Sequence, residues 1–507
     1  MNTSKNLLLL FLVIILAFAF HLPALLHSQS FWFDEIVSLK IAEKNIVESW
    51  QYLQWENNPP LHYWFLHFWV KIFGEEELAL RLSSLLFFIF DLMLFYLLGR
   101  RLTGRHAAGL FSSFLAAASS YYLFTSMDAR MYPMLLFFSL LSFYFFWQWL
   151  ATGKKRLCFF YIVAAVLALY THLTALFVIL ITSAYWFYHH FYLNKKQPSW
   201  ISWLLANIIV ILFFLPWLWR FTVHNLARLN GAAWYFHTTA AGFFLFEIPR
   251  AFFFLGLETQ FLEFFGLIIF GLILAVVFIK NIRWSLADKE IKLNFKLLPP
   301  AVFAFLIFII PLALGFILQV WVTKYYIIGS AGLFLLLGIG FSDLKIKPVF
   351  KKALIAAVFI LLLPNSAFII KTQGQYQWEK VARYVVEEEK SGDILLFPAS
   401  VYELLFRHYY TGKLSTSPVL AKGLEDDLLL RAIKYNWSPI VRAMSDLGPA
   451  FSAHNRVIAV YPATTANIHN VDLVLDWFLK ERWPLVAEKQ FGGFENATVY
   501  IFKNPDR

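Results

Sequence analysis

Residues 7–27 read "LLLLFLVIILAFAFHLPALLH", and this run decides what kind of fold the chain can adopt. A helix needs about 20 mostly apolar residues to cross a bilayer, and only His21 and Pro23 interrupt this run. The apolar core of a secretory signal peptide is shorter, at about 7–15 residues. We therefore expect a retained first membrane span, preceded by Lys5.

The overall composition agrees with a membrane protein. Of the 507 residues, 60% are hydrophobic and only 15% are charged, whereas soluble domains are nearer half apolar and a quarter charged. The single cysteine, Cys158, excludes a disulfide within the chain and a multi-cysteine metal site. Most of the chain is therefore expected to lie in lipid.

The apolar runs predict a polytopic α-helical bundle of about eleven spans. One further run, 242–256, is interrupted by Glu247, Pro249 and Arg250, so we expect it to form a helix at the interface. The predicted spans cover residues 7–27, 79–99, 107–124, 132–150, 157–171, 173–192, 201–219, 262–280, 297–318, 326–342 and 352–370.

The basic residues predict the orientation. With the N-terminus in the cytoplasm, most lysines and arginines of the loops lie on the cytoplasmic side, as the positive-inside rule requires. An odd number of spans then places the C-terminal part outside the cytoplasm. The net charge of +11 is divided among these loops rather than gathered in one patch, which excludes a nucleic-acid partner. We expect a multi-pass protein of the inner or plasma membrane.

The membrane domain is predicted to be residues 1–370, with outer loops at 28–78 and 220–261. Residues 371–507 have a different pattern of polar and apolar residues. The stretches "DILLFPAS" and "RVIAVYPA" read as strands, "VDLVLDWFLKERW" as an amphipathic helix, and "PLVAEKQFGGFENATVYIFKN" as a hairpin. This pattern predicts a small α/β extracytoplasmic domain. It contains no GxGxxG, P-loop or metal-binding spacing.

The stretch "FWFDEIVSLK" (31–40) places two adjacent carboxylates, Asp34 and Glu35, just beyond the first span. They are either the solvated end of a helix or a chemical centre at the membrane surface. Acidic residues favour the N-terminal end of a helix, and this pair follows the predicted C-terminal end of a span. The chemical interpretation is therefore favoured.

The same outer loop continues as "ENNPPLHYWFLHFW" (56–69). Its double proline keeps the start of the segment extended, and the aromatic residues up to Gly74 indicate a helix in the headgroup region. The residues predicted to shape a cavity here are Asn58, Pro59, Pro60, His62 and Tyr63.

Three short outer turns add ionisable groups at the ends of spans. Such groups are costly at this depth and usually face a cavity or a partner. The open alternatives are a local ion pair at the first turn, a buried histidine at the second, and a lysine that snorkels to the interface at the third. The groups are Asp128, Arg130 and Tyr132 in "TSMDARMYP", His172 in "YTHLT", and Lys324 and Tyr325 in "QVWVTKYYI".

Carboxylates and cations gathered on one membrane face suit a phosphate leaving group. A carboxylate can remove the proton of an attacking hydroxyl, and cations stabilise the charge on a departing phosphate. The guanidinium of Arg130 can bind phosphate oxygens in bidentate fashion, while Lys324 offers a point charge.

Taken in order, these segments resemble the membrane glycosyltransferases of the C-type fold (GT-C). The closest likeness is to the branch with the dolichyl-phosphate-mannose protein mannosyltransferases and the lipid A aminoarabinose transferases. The resemblance covers most of residues 30–190 and returns near 320–342. The matching pieces are "FDEIVSLKIAE", "NNPPLHYWFLHFWVKIFGEEELALRLSS", "SMDARMYPMLLFFSLLSFY", "LYTHLTALFVI" and "TKYYIIGSAGLFLLLGIG".

The resemblance implies that a sugar carried on a polyprenyl (undecaprenyl or dolichyl) phosphate is transferred outside the cytoplasm with inversion. It makes Asp34 the general base, or a residue that helps to position a metal, with Glu35 as its neighbour. It assigns the donor phosphate to four residues. These are Arg130, Tyr132, Lys324 and Tyr325.

The chain departs from the family pattern at three positions. Asp128, a third predicted catalytic carboxylate, stands where Glu is expected, and Lys324 replaces an arginine and so loses the bidentate fork. Asn58 stands where many relatives have a histidine, which removes a possible metal ligand. No cofactor is certain, and Mg²⁺ or Mn²⁺ could still bind through carboxylate oxygens. The candidate metal ligands are Asp34, Glu35, Glu56 and Asp128.

The sequence thus predicts a glycosyltransferase of the cell envelope, with Asp34 as base and His172 and Tyr132 shaping the cavity. The acceptor is a lipid, a glycan or a protein, and the sugar is not specified. The rival hypothesis is a transporter or flippase of lipid-linked sugars, which would place charge at mid-membrane and often shows internal repeats. Asp91, near the middle of the second span, is the one residue that favours it.

Overall fold

The computed structural model describes most of the chain, and the statements that follow concern those residues. They are 3–27, 30–195, 197–229, 251–252, 282–285, 290–293, 298–320, 322–372, 376–417, 426–434, 451–462, 477–478, 481–492 and 497–507.

Helices dominate the first half of the chain. Their bounds are α1 (Thr3–His27), α2 (Phe33–Ala42), α3 (Ile46–Leu53), α4 (Leu61–Phe73), α5 (Glu77–Thr103), α6 (His106–Ala118), α7 (Ser120–Met127), α8 (Tyr132–Thr152), α9 (Lys155–Thr171), α10 (Leu176–Phe187) and α11 (Trp200–Leu229).

The second half combines further helices with six short strands. Their bounds are β1 (Ile282–Ser285), β2 (Glu290–Leu293), α12 (Leu298–Leu318), α13 (Ile327–Asp343), α14 (Pro348–Thr372), α15 (Trp378–Glu388), β3 (Asp393–Leu396), α16 (Ser400–Tyr409), α17 (Leu428–Lys434), β4 (Arg456–Pro462), β5 (Leu485–Phe491) and β6 (Ala497–Lys503).

The polytopic α-helical architecture is confirmed. Eight helical segments in the described part of the chain are long and apolar enough to cross a membrane, and α6 with α7 makes a ninth if the bent pair is one span. The predicted span at 157–171 is α9, whose 17 residues are short for a crossing. The predicted span at 262–280 lies outside the described residues, as does the predicted interface helix at 242–256 except for 251–252.

The axis bends by 63° between α6 and α7. Serine side chains form hydrogen bonds with backbone groups near the break, where helical hydrogen bonds are interrupted. Ser119 accepts from the backbone N–H of Tyr122 and donates to the carbonyl of Phe252 at 2.6 Å, while Ser366 donates to the carbonyl of Ala118 at 3.2 Å. Such satisfaction is what an interrupted helix needs in lipid.

Small residues let the central helices approach closely. Helix α13 is buried along nearly its whole length and packs against α6 and α12. A side chain at Gly332 would overlap the backbone of α12 at Ala304 and Phe308. Membrane helices commonly use small residues in this way, because van der Waals contact rather than water exclusion drives their association.

The C-terminal sheet confirms the predicted strands. Its order is β3-β4-β6-β5, with β3 parallel to β4 and the other pairs antiparallel. The β5–β6 pair is the predicted hairpin, although its turn residues 493–496 lie outside the described part. The predicted helix at 471–483 is described as helix only at 477–478. The short antiparallel pair of β1 and β2 was not predicted.

The chain divides into two compact units. Unit 1 contains 1–23, 57–65 and 81–371, and unit 2 contains 24–56, 66–80 and 372–507. The sequence pattern places the first outer loop with the membrane domain, whereas the structure groups most of that loop with the C-terminal domain. Within unit 2, helix α16 packs on α2, and helix α17 packs on α2 and α3.

Candidate active site

Asp34 and Glu35 open a helix of their own. They lie in the first turn of α2, at the N-terminal end of a helix. The prediction that the pair marks the C-terminal end of the first span, on which the preference for a chemical role rested, is therefore wrong. The backbone N–H of Trp32 donates to Oε2 of Glu35 at 3.2 Å, which fixes the start of the helix. The helix dipole stabilises negative charge at this position. This arrangement gives Glu35 a structural role and leaves Asp34, which is half-buried, as the better candidate for chemistry.

A second group forms in unit 1, where α7 ends at Asp128. Nζ of Lys324 lies 2.8 Å from Oδ2 of Asp128, and the two side chains are only 14% and 15% exposed. The ammonium also lies 4.6 Å from the ring centroid of Phe124 and 5.7 Å from that of Tyr132. The carboxylate and two aromatic faces therefore hold the lysine in place.

Arg130 lies in the same turn and is almost fully buried. Its backbone N–H donates to the carbonyl of Asp128 at 2.8 Å, and Ser84 on α5 donates to its carbonyl at 3.2 Å. Arg130, the second cation, therefore lies two residues after Asp128 in a turn whose backbone is held by α5. Asp128 also pairs with Lys324, which is 196 positions away in the sequence, a contact that neither alternative for this turn included.

His62, near the start of α4, supports the same turn. Its Nε2 lies 3.3 Å from the carbonyl of Ala129. Since a carbonyl can only accept, Nε2 carries the hydrogen. Burial and, secondarily, the charge of Arg130 lower the pKa of His62 to about 3. His62 is therefore a neutral donor that braces the turn.

His172 sits in the turn between α9 and α10. Its Nδ1 accepts from the backbone N–H of Thr174 at 3.2 Å, so it caps the following 3-10 turn. Its ring centroid is 5.9 Å from that of Tyr132 and 5.0 Å from that of Tyr325. His172 is therefore a buried, hydrogen-bonded histidine, as one alternative proposed. Its ring also packs near Tyr132 and Tyr325.

The remaining cavity residues precede α4 or lie in its first turn. Pro59 and Pro60 are buried, Tyr63 is 1% exposed, and Asn58 is half-buried. The carbonyl of Pro60 accepts from the backbone N–H of Trp64 at 3.0 Å, so the helix begins directly after the proline pair.

The structure thus brings together the predicted cations, Asp128 and the two histidines in unit 1, while Asp34, Glu35 and Glu56 belong to unit 2. Within the described ranges, no three His, Cys, Asp or Glu side chains form a group that could hold a metal ion. The Mg²⁺ or Mn²⁺ site stays a prediction, and no step below is assigned to a metal.

Three contacts at this site were not predicted. Phe124 lies against Lys324, Ser84 binds the Arg130 turn, and Tyr121 donates its hydroxyl to the carbonyl of Thr323 at 3.0 Å. Helix α7 therefore contacts the Lys324 turn through Tyr121 and Phe124, which lie one helical turn apart. The available signal was the polar run "SSYY" (119–122) near the end of the predicted span 107–124.

The broken helical span, the bundle of membrane helices and the small α/β domain agree with the C-type fold that the sequence predicted. Comparison with known proteins confirms this fold. Residues 57–219 match the sequence family described as dolichyl-phosphate-mannose-protein mannosyltransferase. This part of the chain is therefore similar in sequence to that family, as the sequence analysis predicted.

Solved structures match over nearly the whole chain. ArnT from Cupriavidus metallidurans superposes with a TM-score of 0.62 in the apo state, at 13% identity, covering 98% of each chain. The same protein bound to undecaprenyl phosphate gives 0.57 at 14% identity, covering 99% of this chain and 98% of that chain. The Archaeoglobus fulgidus oligosaccharyltransferase gives 0.52 at 11% identity, covering 90% of this chain and 70% of its own.

A curated relative also matches in sequence. It is an uncharacterized protein of Aquifex aeolicus (strain VF5), 28% identical over 256 residues. The match covers 50% of this chain and 48% of that protein, so it spans about half the length of the relative.

Proposed function

We propose that the chain is an integral membrane glycosyltransferase that moves a sugar from a polyprenyl-phosphate donor to a hydroxyl on the extracytoplasmic face. Three observations support this: the mannosyltransferase family match, the fold shared with an ArnT that binds undecaprenyl phosphate, and the buried cations of unit 1. The acceptor is a lipid, a glycan or a protein.

The observation that most supports the proposal is the site around Lys324 and Arg130. These two cations lie beside one short turn, next to aromatic rings and two histidines, and all of these groups are largely buried. Cations in such a water-poor site stabilise developing negative charge more strongly than they do in water. The carboxylate of Asp128 orients the ammonium of Lys324 at this turn.

In the proposed reaction, Asp34 takes the proton of the acceptor hydroxyl while its oxygen attacks the anomeric carbon. The bond between that carbon and the phosphate oxygen breaks, and its electron pair stays on the phosphate. The products are the glycosylated acceptor, with inverted configuration, and free polyprenyl phosphate. Arg130 and Lys324 stabilise the added charge, and Asp34 then returns its proton to water.

A transfer assay tests the proposal. Purified protein is given undecaprenyl-phosphate mannose or undecaprenyl-phosphate aminoarabinose with a membrane lipid extract as acceptor, and the release of undecaprenyl phosphate is measured. The wild type is expected to turn over one of the donors, and Asp34→Asn to lose this activity at equal expression. Full activity of the variant would remove Asp34 from the mechanism.

The proposed orientation is N-terminus in the cytoplasm and C-terminal domain outside. It follows from the loop charges rather than from the helix packing. Single cysteines introduced at Lys5 and Lys503, in a Cys158→Ser background, test it by labelling intact cells with an impermeant thiol reagent. Labelling at position 503 and not at position 5 is expected, and the reverse pattern would contradict the orientation.

One observation favours the rival function, a flippase of lipid-linked sugars. Asp91 in α5 is fully buried, and neither of its carboxylate oxygens has a hydrogen-bond partner among the described residues. Intramembrane carboxyl groups often mark transport pathways. Reconstituted vesicles that contain labelled undecaprenyl-phosphate mannose and no acceptor separate the two functions. Transbilayer movement that Asp91→Asn abolishes would support the flippase.

A further inference from the structure

The segment before α2 is held by the C-terminal domain within unit 2. The backbone N–H of Ser30 donates to the carbonyl of Tyr376 at 3.2 Å, and its hydroxyl accepts from the backbone N–H of Glu379 at 3.0 Å. The backbone N–H of Phe31 donates to the hydroxyl of Tyr409 at 2.7 Å. Hydrogen bonds from three places in the C-terminal domain thus fix the two residues that lead to the Asp34 helix.

Tyr409 makes the most specific of these contacts. Its hydroxyl accepts from Phe31 and donates to Oε1 of Glu77 at 2.6 Å. Burial, reinforced by the carboxylate of Glu77, raises the pKa of Tyr409, so the phenol keeps the proton that it donates. Phe31 is fully buried, and its N–H therefore requires an acceptor from the protein.

The body of the loop is held from the same side. The hydroxyl of Tyr52 donates to Oδ2 of Asp427 at 2.7 Å. The ammonium of Lys434 lies 4.1 Å from the ring centroid of Trp55. Helices α16 and α17 pack on α2. The first outer loop is therefore built into the C-terminal domain, and a shift at Phe31 moves the first turn of α2, where Asp34 lies.

We propose that Tyr409 is a positioning residue for Asp34: its hydroxyl joins Phe31 to Glu77 and so sets where the helix carrying the base begins. This inference rests on the proposed transferase function and gives the C-terminal domain a part in catalysis. Contacts with the C-terminal domain hold the helix that carries Asp34 in place. A general base must lie within hydrogen-bond reach of the proton that it removes.

The neighbouring residue provides a matched control. Tyr410 also donates its hydroxyl to a carboxylate, that of Glu389, and accepts a backbone N–H, from Leu414 at 3.0 Å. These partners lie within the C-terminal domain and not in the first outer loop. Tyr409→Phe and Tyr410→Phe therefore remove the same chemistry from adjacent positions, and only the first touches the segment before α2.

Two measurements on full-length protein test the inference. Hydrogen exchange of peptides covering 30–42 is expected to be about fivefold faster in Tyr409→Phe, the change that one lost hydrogen bond produces, and unchanged in Tyr410→Phe. The turnover number for the donor is expected to fall about tenfold in Tyr409→Phe, with KM within about twofold, because a misplacement of 1 Å can cost about a hundredfold in rate. Equal turnover in the two variants would overturn it.

The Asp34→Asn background separates this inference from the function on which it rests. If Tyr409 acts through Asp34, adding Tyr409→Phe to Asp34→Asn lowers the residual turnover no further. An additional tenfold loss in the double variant would show that Tyr409 acts by another route. Full activity of Asp34→Asn alone would contradict the proposed function, while the exchange measurement would still decide whether Tyr409 holds the loop.

Discussion

Removing the carboxylate of Asp128 should tighten the binding of a lipid phosphate. Oδ2 of Asp128 lies 2.8 Å from Nζ of Lys324, so a lipid phosphate that binds Lys324 must share this ammonium with a competing anion. Asp128→Asn removes that competition. Lys324→Met removes the ammonium itself and leaves the carboxylate facing the phosphate.

The size of each change follows from the geometry. A hydrogen bond to a charged group contributes about 1.5–3 kcal/mol, and the two side chains are shielded enough for a value inside this range to apply. Losing about 2 kcal/mol in Lys324→Met weakens binding about 30-fold, at about 1.4 kcal/mol per factor of ten. Relieving the competition in Asp128→Asn regains the lower end of the range, about 1.5 kcal/mol, and strengthens binding about tenfold.

The assay is the binding of undecaprenyl phosphate to the detergent-solubilised protein, measured by calorimetry. Asp343→Asn is the control, because Asp343 forms another carboxylate–cation pair in unit 1, with Arg105 at 2.9 Å. Its affinity for the lipid should equal that of the wild type. If Asp128→Asn weakens binding as Lys324→Met does, Asp128 contacts the donor instead of competing with it, and the counter-ion role is wrong.

Two further outcomes are expected. The pKa of His62 is lowered to about 3 in the folded protein, so the unfolded state binds more protons between about pH 3 and 6.5, and stability falls as pH is lowered through that window. Thermal unfolding at pH 7 and pH 5 should show a smaller loss in His62→Gln, and an equal loss would contradict the burial argument. Gly332→Val should prevent correct packing of α13, because its side chain would meet the backbone at Ala304 and Phe308, whereas Gly492→Ala has open space and should change the free energy of unfolding by less than about 0.5 kcal/mol. Wild-type detergent stability of Gly332→Val would contradict the close approach.

The sequence predicted well what depends on local pattern. The long apolar runs predicted the eight or nine spans that the structure describes, and strands β3 and β4 and the β5–β6 hairpin appear where the sequence placed them. The positions of Arg130 and Lys324 at the ends of spans followed from the lengths of the hydrophobic runs.

The features that the sequence did not predict depend on contacts between distant residues or on short helices. No local pattern pairs Asp128 with Lys324, since their meeting depends on how α7 and α13 pack. The acids at 34–35 are a helix-start signal, yet the preceding span made them look like a helix end. The capping role of Glu35 was hidden for the same reason.

In the proposed reaction, Asp34 acts in the chemical step and not in donor binding. Donor turnover and undecaprenyl phosphate affinity, both measured on one preparation of Asp34→Asn, separate these two roles. Glu43→Gln, just past the other end of α2 in an exposed pair with Lys40, is the control. Asp34→Asn is expected to lower turnover by about 10²–10⁴-fold with unchanged lipid affinity, as for a lost general base. Turnover within a few-fold of the wild type in Asp34→Asn, at equal lipid affinity, would contradict it.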